Sequence, residues 1–504
     1  MLGLPTFVLN ALEIMATLFV FAVGTSILVI VFLYFFDKHQ TVNSVRRNYP
    51  VVGRFRTFFE HLGEFFRQYF FAMDREELPF NRAQRLWADR ASKDINNTAA
   101  FGSTKNLNVE GTVMFANCMF PRLDDEAMKA SPVLFGPYCK KPYETSSFFN
   151  ISAMSYGALS KPAVQALSRG AKMAGIWLNT GEGGVSPWHL ESGCDVVFQI
   201  GTAKYGVRDE SGKLSDDKLR EAGNNPSIKM IELKLSQGAK PGKGGILPAI
   251  KVTEEISLIR GIPQGQASIS PNRHPEINSL DDLLGLINHI RDVSGLPTGF
   301  KAVIGAYGWL DEFCKLIHER GIESAPDFIT VDSGDGGTGA APLPLMDEMG
   351  LPIRESLPIV IDKLNEYGLR GRIRVLASGK RVTPSEVAWA LCAGADAVNS
   401  ARGFMFALGC IQAMKCNRNT CPTGVTTHNK RLQRGLDPAD KSVRVANYAV
   451  NMMKEVSIIA HSCGVTEPRR LKRYHARVVS ANGLSVGLNE LHPEAETRPE
   501  FLPA

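Results

Sequence analysis

The sequence has no Lys/Arg stripe, no paired C-x2-C zinc spacing and no aromatic RNA-binding signature. Its 57 basic and 51 acidic residues leave a formal net charge of only +6, spread over 504 positions. A mixed solvated surface accounts for that balance, and nucleic acid is not an expected partner. Cysteine is scarce and odd in number, nine in all, and no cleavable signal pattern precedes the body of the chain. A secreted disulfide framework is therefore excluded. No G-x-G-x-x-G follows the first strand, which argues against an open dinucleotide-binding sheet. No other dinucleotide motif is evident, so NAD(P)H oxidation would need a partner protein. What the chain does have is apolar material: 44% of its residues are hydrophobic, enough for a large buried core.

One apolar run stands apart. Ile14 to Phe36 is twenty-three residues without a formal charge, long enough to cross the hydrocarbon layer of a bilayer. A secretory signal has a shorter apolar region after basic residues, whereas Glu13 precedes this one. Lys38, Arg46, Arg47, Arg54 and Arg56 follow it. The excess of positive charge on that side predicts a single-pass membrane protein with its body in the cytoplasm, where thiols stay reduced. A buried core helix is the alternative. Between Phe58 and Phe71 aromatics recur at helical spacing, suited either to a membrane interface or to a helix capping the body. Asn81 to Lys93 reads as a polar surface helix.

From Phe148 onward short apolar runs alternate with helical patterns, the signature of βαβ units and a parallel sheet. Strands are expected near Phe148–Ser152, Ile176–Thr180, Val196–Ile200, Ile231–Leu235, Phe300–Ile304, Phe328–Val331, Ile373–Leu376 and Ala397–Ser400. Helices are expected between most of them, among them Pro162–Ala174, Leu280–Val293, Asp311–Glu319 and Pro384–Cys392. Eight such units predict an α/β fold, a (β/α)8 TIM barrel with long βα loops. The expected organisation is an anchor over 1–37, a helical and irregular extension over 38–139, the barrel over 140–435, and a C-terminal helical extension and tail over 436–504.

The unusual residues fall just after strands, at the rim where barrel enzymes keep their sites. They are Ala153, Met154 and Ser155 after the first strand, and Asn179, Thr180 and Glu182 in a glycine-rich turn after the second. Lys234, Gln237, Lys240 and Lys243 follow the fourth, Asp332, Gly336 and Gly337 the sixth, Ser378, Gly379 and Lys380 the seventh, and Ala401, Arg402 and Gly403 the eighth. Glycines let a backbone approach a ligand and aim N–H groups at it. Clusters at one rim, two of them ending the last strands, point to a phosphate-bearing cofactor. Lys301, on a strand, is placed to stabilise negative charge on a reduced flavin. Cys410-x5-Cys416-x4-Cys421-Pro422 is not a zinc spacing and lacks a fourth ligand. The spacing leaves a three-iron cluster, an incomplete four-iron one and three incidental thiols open.

At SAMSYGALS (Ser152–Ser160), NTGEGG (Asn179–Gly184), KLSQGAKPGKGG (Lys234–Gly245), GGTGAAP (Gly336–Pro342) and LGCIQAMKCNRNTCPTGV (Leu408–Val425) the sequence resembles the synthase region of glutamate synthase. It resembles the short stand-alone FMN proteins of that family more closely still. The resemblance covers roughly residues 140 to 435 in the family's order. It implies FMN, and a [3Fe-4S] cluster on Cys410, Cys416 and Cys421. It also implies flavin contacts at Ala153, Met154, Ser155, Gln199 and Lys301 and in the loops around Gly379 and Arg402. Glu182 and Lys240 match positions facing a 2-oxo acid. The implied reaction passes electrons from the cluster to FMN and then a hydride to the imine of 2-oxoglutarate and ammonia. In it Lys240 holds a carboxylate and Glu182 assists proton handling.

The departures from the family pattern shape the remaining expectations. No glutaminase domain precedes the barrel, and Leu2 and Gly3 follow Met1 where a nucleophilic first Cys would stand. Glutamine hydrolysis is not expected; ammonia would be free or come from a separate glutaminase, and electrons from a ferredoxin or an NAD(P)H-oxidising protein. Lys243 and Ile246 replace a Glu and a Gln common in the family, which puts 2-oxoglutarate itself in question. Two other readings stand beside the synthase: an FMN barrel acting on another oxo or hydroxy acid, with His189 or His274 as base, and a membrane-bound electron relay.

Overall fold

Eight short strands with a near-continuous apolar reading form the centre of the molecule, because each is covered on both faces. In the computed structural model, which describes residues 6–502 apart from 41, 43 and 72, they are β1 (Phe149–Ile151), β2 (Leu178–Asn179), β3 (Val196–Ile200), β4 (Ile228–Lys234), β5 (Thr298–Val303), β6 (Phe328–Asp332), β7 (Arg374–Ser378) and β8 (Ala397–Ser400). They pair in parallel, each with the next, and β8 returns to β1, so the sheet closes into a barrel. All eight lie where the hydrophobic pattern placed them. The four expected helices are present at Lys161–Ala174, Leu280–Ser294, Trp309–Arg320 and Pro384–Cys392.

The first of these helices shows how local sequence fixes an element. Ser160 caps it by accepting from the Ala163 N–H, Pro162 stands in its first turn, and Gly175 ends it in the left-handed region at φ 66°. Helix Pro438–Ser462 packs along it and reaches Pro384–Cys392. The approach is so close that a Cβ on Gly170 would lie 2.4 Å from Val445 Cγ1. The N-terminal end of the barrel is plugged. An antiparallel pair, Val133–Phe135 with Tyr143–Thr145, inserts Phe135 edge-on against Trp177 and Phe328. A ligand must therefore enter from the C-terminal rim.

The chain divides into two compact units, residues 1–83 and 84–504. The first contains helix Thr6–His39, 34 residues long, in which an 18-residue stretch has a mean hydropathy of 2.6 and no buried residue. No residue of the run Ile14–Phe36 within it is buried. Helix Arg82–Ser92 departs from the polar surface helix expected there. Its Ala88, Ala91 and Ser92 are buried, and its Trp87 Nε1 donates to Glu455 Oε2 at 2.9 Å. Alternate polar and small residues hid this face, because alanine carries too little apolar signal to mark a buried stripe.

Candidate active site at the barrel mouth

An open cavity sits over the C-terminal ends of the strands; β3, β4 and β5 line it directly, and β1, β2, β6 and β8 through the loops that follow them. Its electrostatics decide its chemistry. Lys234, Lys240, Lys251, Arg260, Lys301 and Arg402 line it, against the single carboxylate of Glu182. Such an excess of buried positive charge is costly to hold without an anion.

Glu182 occupies a slot made by glycines. A Cβ on Gly201 would stand 2.6 Å from its Cβ, and one on Gly245 would stand 2.3 Å from its Oε1. Gly181, at φ 64°, is pressed on the Ser155 backbone nitrogen so tightly that a Cβ would come within 2.6 Å. In this slot Glu182 Oε1 meets Lys234 Nζ at 2.8 Å. Burial alone would raise the carboxyl's pKa, but Lys234, Lys240 and Arg260 hold it down to about 2. Glu182 is thus ionised at neutral pH and accepts rather than donates. We expect Gly245→Ala to push the carboxylate off Lys234 at a cost of about 1–3 kcal/mol, read as a lowered urea midpoint with unchanged m-value.

Lys234 spends its ammonium on Glu182 and on Gln237 Oε1 at 2.9 Å. Lys240 and Lys301 make no side-chain hydrogen bond or ion pair among the described residues, although they are only 6% and 4% exposed. Burial and the neighbouring Lys234 lower Lys240 to about 8. These two are the cations left for a ligand.

Inside the barrel, just below the cavity, Glu232 takes hydrogen bonds from Asn179 Nδ2 (2.8 Å), Gln199 Nε2 (2.6 Å) and Thr330 Oγ1 (2.6 Å). Its hold on Gln199 Nε2 turns that amide so that its oxygen is the atom left for the cavity. Asn179 Oδ1 in turn accepts from the Gly181 N–H. The network links the strand interior to the Glu182 turn.

The expected site residues fall into two shells. Ala153, Met154, Ser155, Gln199, Lys301, Gly337, Ala401 and Arg402 line the cavity, with Glu182 and Lys240. Asn179, Thr180, Asp332, Gly336, Ser378 and Gly379 stand behind it. Thr180 Oγ1 accepts from Gln199 N, Asp332 Oδ2 from Gly238 N, and Ser378 Oγ lies 3.3 Å from Ser152 Oγ. Gly336 is packed against Gly238, and Gly379, at φ 99°, against Ser333. Arg402 gives Nη2 to the Thr338 carbonyl, and its Nη1 lies 3.9 Å from Cys416 Sγ.

Of the three clustered cysteines only Cys416 reaches the cavity wall; Cys410 is half-buried and Cys421 buried. Among the described residues no three His, Cys, Asp or Glu side chains are gathered tightly enough to hold a metal. Lys251, 2% exposed, pins the loop by donating to the Cys416 carbonyl at 2.8 Å and the Ala158 carbonyl at 3.1 Å. Neither histidine proposed as a base lines the cavity. His189 is fully buried on Ser186 and pushed down to about 4 by burial, and His274 Nε2 is spent on the Lys234 carbonyl. Of the two altered positions, Ile246 forms cavity wall, whereas Lys243 is exposed outside it.

Three participants escaped the sequence reading. Glu232 had a signal, a charge between Ile231 and Leu233 in a strand whose other residues are mostly apolar, which marks an inward polar position. Arg260 and Lys251 had none, since each lies in a long βα loop where basic residues are ordinary.

Fold and site together define a closed α/β barrel whose mouth carries an excess of positive charge. The chain belongs to the glutamate synthase family: the conserved region in glutamate synthase matches residues 120–466. Among its relatives is the glutamate synthase large subunit-like protein YerD of Bacillus subtilis, 36% identical over 93% of this chain and 96% of that one. The archaeal glutamate synthase [NADPH] of Methanocaldococcus jannaschii is 33% identical over 68% of this chain, which spans only 62% of that protein's length. Among solved structures the flavin-binding domain of baker's yeast flavocytochrome b2 is similar at 15% identity, with a TM-score of 0.46 over 84% of this chain and 86% of that one.

Proposed function

We propose that this chain is an FMN- and iron–sulfur-dependent oxidoreductase that forms glutamate reductively from 2-oxoglutarate and ammonia. Family membership puts it among the oxidoreductases acting on the CH–NH2 group of donors. The observation that carries the finer reading is the pair of buried, unpartnered ammonium groups, Lys240 and Lys301, at a mouth with one carboxylate. One site that must receive both a negatively charged reduced ring and a carboxylate substrate needs two such groups.

The residues fit FMN on that ground and on the acceptor oxygen that Glu232 leaves on Gln199. By donor type three thiols on one loop, Cys410, Cys416 and Cys421, suit an iron–sulfur cluster, with Arg402 and Lys251 beside Cys416 to offset negative charge; their side chains as they stand are not gathered around one point, so loading the cluster requires the loop to close on it. When bound, FMN supplies hydride chemistry and the cluster one-electron delivery. Lys301 balances charge from β5, and Lys240 binds and orients the substrate carboxylate. Glu182 keeps Lys234 in place and, being ionised, accepts a hydrogen bond from the amine. With a pKa of about 8, Lys240 can also return a proton near neutrality. Helix Thr6–His39 would anchor the body to a membrane, with the basic residues after it on the cytoplasmic side. Electrons would come from a partner protein, a ferredoxin or an NAD(P)H-oxidising protein.

The test is anaerobic: reduce the cofactor-complete protein and follow flavin absorbance on mixing with 2-oxoglutarate and ammonium. Fast reoxidation that needs both, with glutamate formed, is the expected result. Flavin that stays reduced despite intact FMN and iron would reject 2-oxoglutarate. Because Ile246 gives the cavity an apolar wall, the second reading is an oxo acid with an apolar tail, tried in the same cuvette. Replacing Cys410, Cys416 or Cys421 by Ser should abolish bound iron and its electron paramagnetic resonance signal while FMN remains. Unchanged iron content would remove the cluster from this site.

A further inference from the structure

One apolar surface lies outside the site and is left uncovered by the fold. In the first compact unit helix Gly53–Phe66 runs directly into a π-helical turn, Arg67–Phe71. Phe55, Phe58, Phe59, Leu62, Phe65 and Phe66 recur at i, i+3, i+4 and i+7, the spacing of a single helix face. Phe59 is 61% exposed, Phe70 66% and Phe71 75%. The other side of the helix is polar, with an Arg56–Glu60 pair at 3.1 Å. A contiguous aromatic stripe of this kind does not stay in water; something covers it.

Its position relative to the apolar helix says what. Asp37, in the last turn of Thr6–His39, is fully buried. Its carboxylate accepts a bidentate pair from Arg54, at 2.8 Å (Nε) and 2.7 Å (Nη2), and a third bond from the Val51 N–H at 3.0 Å. The Arg54 guanidinium also lies 5.7 Å from the centre of the Phe36 ring. A bidentate buried pair fixes geometry as well as energy. It pins the first turn of the aromatic helix to the residue where the uncharged run Ile14–Phe36 ends. A bilayer that accepts that run ends its hydrocarbon layer at this clamp, and the second helix then begins at headgroup depth. Phenyl and tyrosyl rings facing acyl chains, with Arg47, Arg54 and Arg56 close to the phosphates, suit that layer.

We infer that Gly53–Phe71 is an interfacial helix, lying in the headgroup layer of the same bilayer that holds Thr6–His39, with its aromatic stripe toward the acyl chains. The inference rests on the anchoring reading of the first helix, and the experiment separates the two.

The full holoprotein is placed in phosphatidylcholine–phosphatidylglycerol vesicles doped with a lipid bearing a diazirine near its headgroup, irradiated and mapped by mass spectrometry. A second lipid, with its diazirine deep in the acyl chain, reports the anchor. The expected result is deep-probe labelling within residues 14–36 and shallow-probe labelling on the stripe from Phe55 to Phe71, with Arg56 and Glu60 spared. The double substitution Phe58→Glu and Phe59→Glu should cut the stripe's labelling about tenfold and leave that of 14–36 unchanged. Asp37→Asn, which loosens the clamp, should cut it several-fold. Labelling confined to 14–36 overturns the interfacial helix and leaves the anchor standing. No lipid labelling in either segment overturns both. Cross-links from the stripe to a second copy of the chain or to a partner protein, in place of lipid, also overturn it.

Discussion

Lys240→Met should leave FMN bound and lower kcat/KM for the oxo acid roughly 100-fold, the rate equivalent of about 3 kcal/mol. The size follows from the surroundings. The ammonium is 6% exposed and has no protein counter-ion of its own, so a substrate carboxylate is its first full partner. Removing it takes away both a charge-assisted bond and a group poised to return a proton near neutrality. A second signature sets it apart from a packing defect. Lys240 is pushed down to about 8 by burial and by Lys234; it is charged below that pH and neutral above it. In the parent protein kcat/KM should fall as the pH rises through about 8, and in Lys240→Met that limb should be gone. A limb unchanged by the substitution would assign the titration to another group.

Glu182→Gln should produce the largest loss of stability among single changes at the rim, about 3 kcal/mol at neutral pH. The carboxylate is the only anion among the six cavity cations, and its loss leaves Lys234 without its ion-pair partner inside the barrel mouth. The pH dependence carries the sign. The folded-state pKa of Glu182, about 2, lies below its ordinary 4.5. The stabilisation is therefore fully present above about 4.5 and is lost as the pH falls through about 2. The parent and Glu182→Gln should differ in urea stability at pH 7 and converge toward pH 2. Adding Lys234→Met to Glu182→Gln should recover much of the loss, because the unpaired ammonium goes with it. A double variant no more stable than the single one would mean that Glu182 is held by its glycine slot rather than by charge.

Much of this molecule was legible before any coordinate. A strand covered on both faces must be apolar along its length, so eight runs such as Val196–Ile200 and Phe328–Val331 announce themselves and, with helices between them, leave few architectures open. Capped helices such as Pro384–Cys392 are equally local: the Thr383–Glu386 capping box and the proline in the first turn lie within four residues of one another. The same holds for the apolar run inside Thr6–His39. Glu182, Lys240, Lys301 and the three cysteines stand out because each breaks the composition of its surroundings.

Tertiary structure decided what depends on distance through space. No pattern reveals that Gly201 and Gly245, forty-four positions apart, close on one carboxylate from two sides. Nor does any show that Glu232 on β4 collects donors from β2, β3 and β6. Arg260 and Lys251 are ordinary basic residues until a long loop folds them onto the mouth. Ile246 and Lys243 read alike as altered positions, yet only Ile246 faces the ligand space. Sequence alone determined the periodicities, and through them the elements and the barrel, because periodicity is set by backbone geometry over a few residues. Which charge meets which partner, and hence which lysines remain free for a ligand, was decided only when barrel closure brought eight strand ends to one rim.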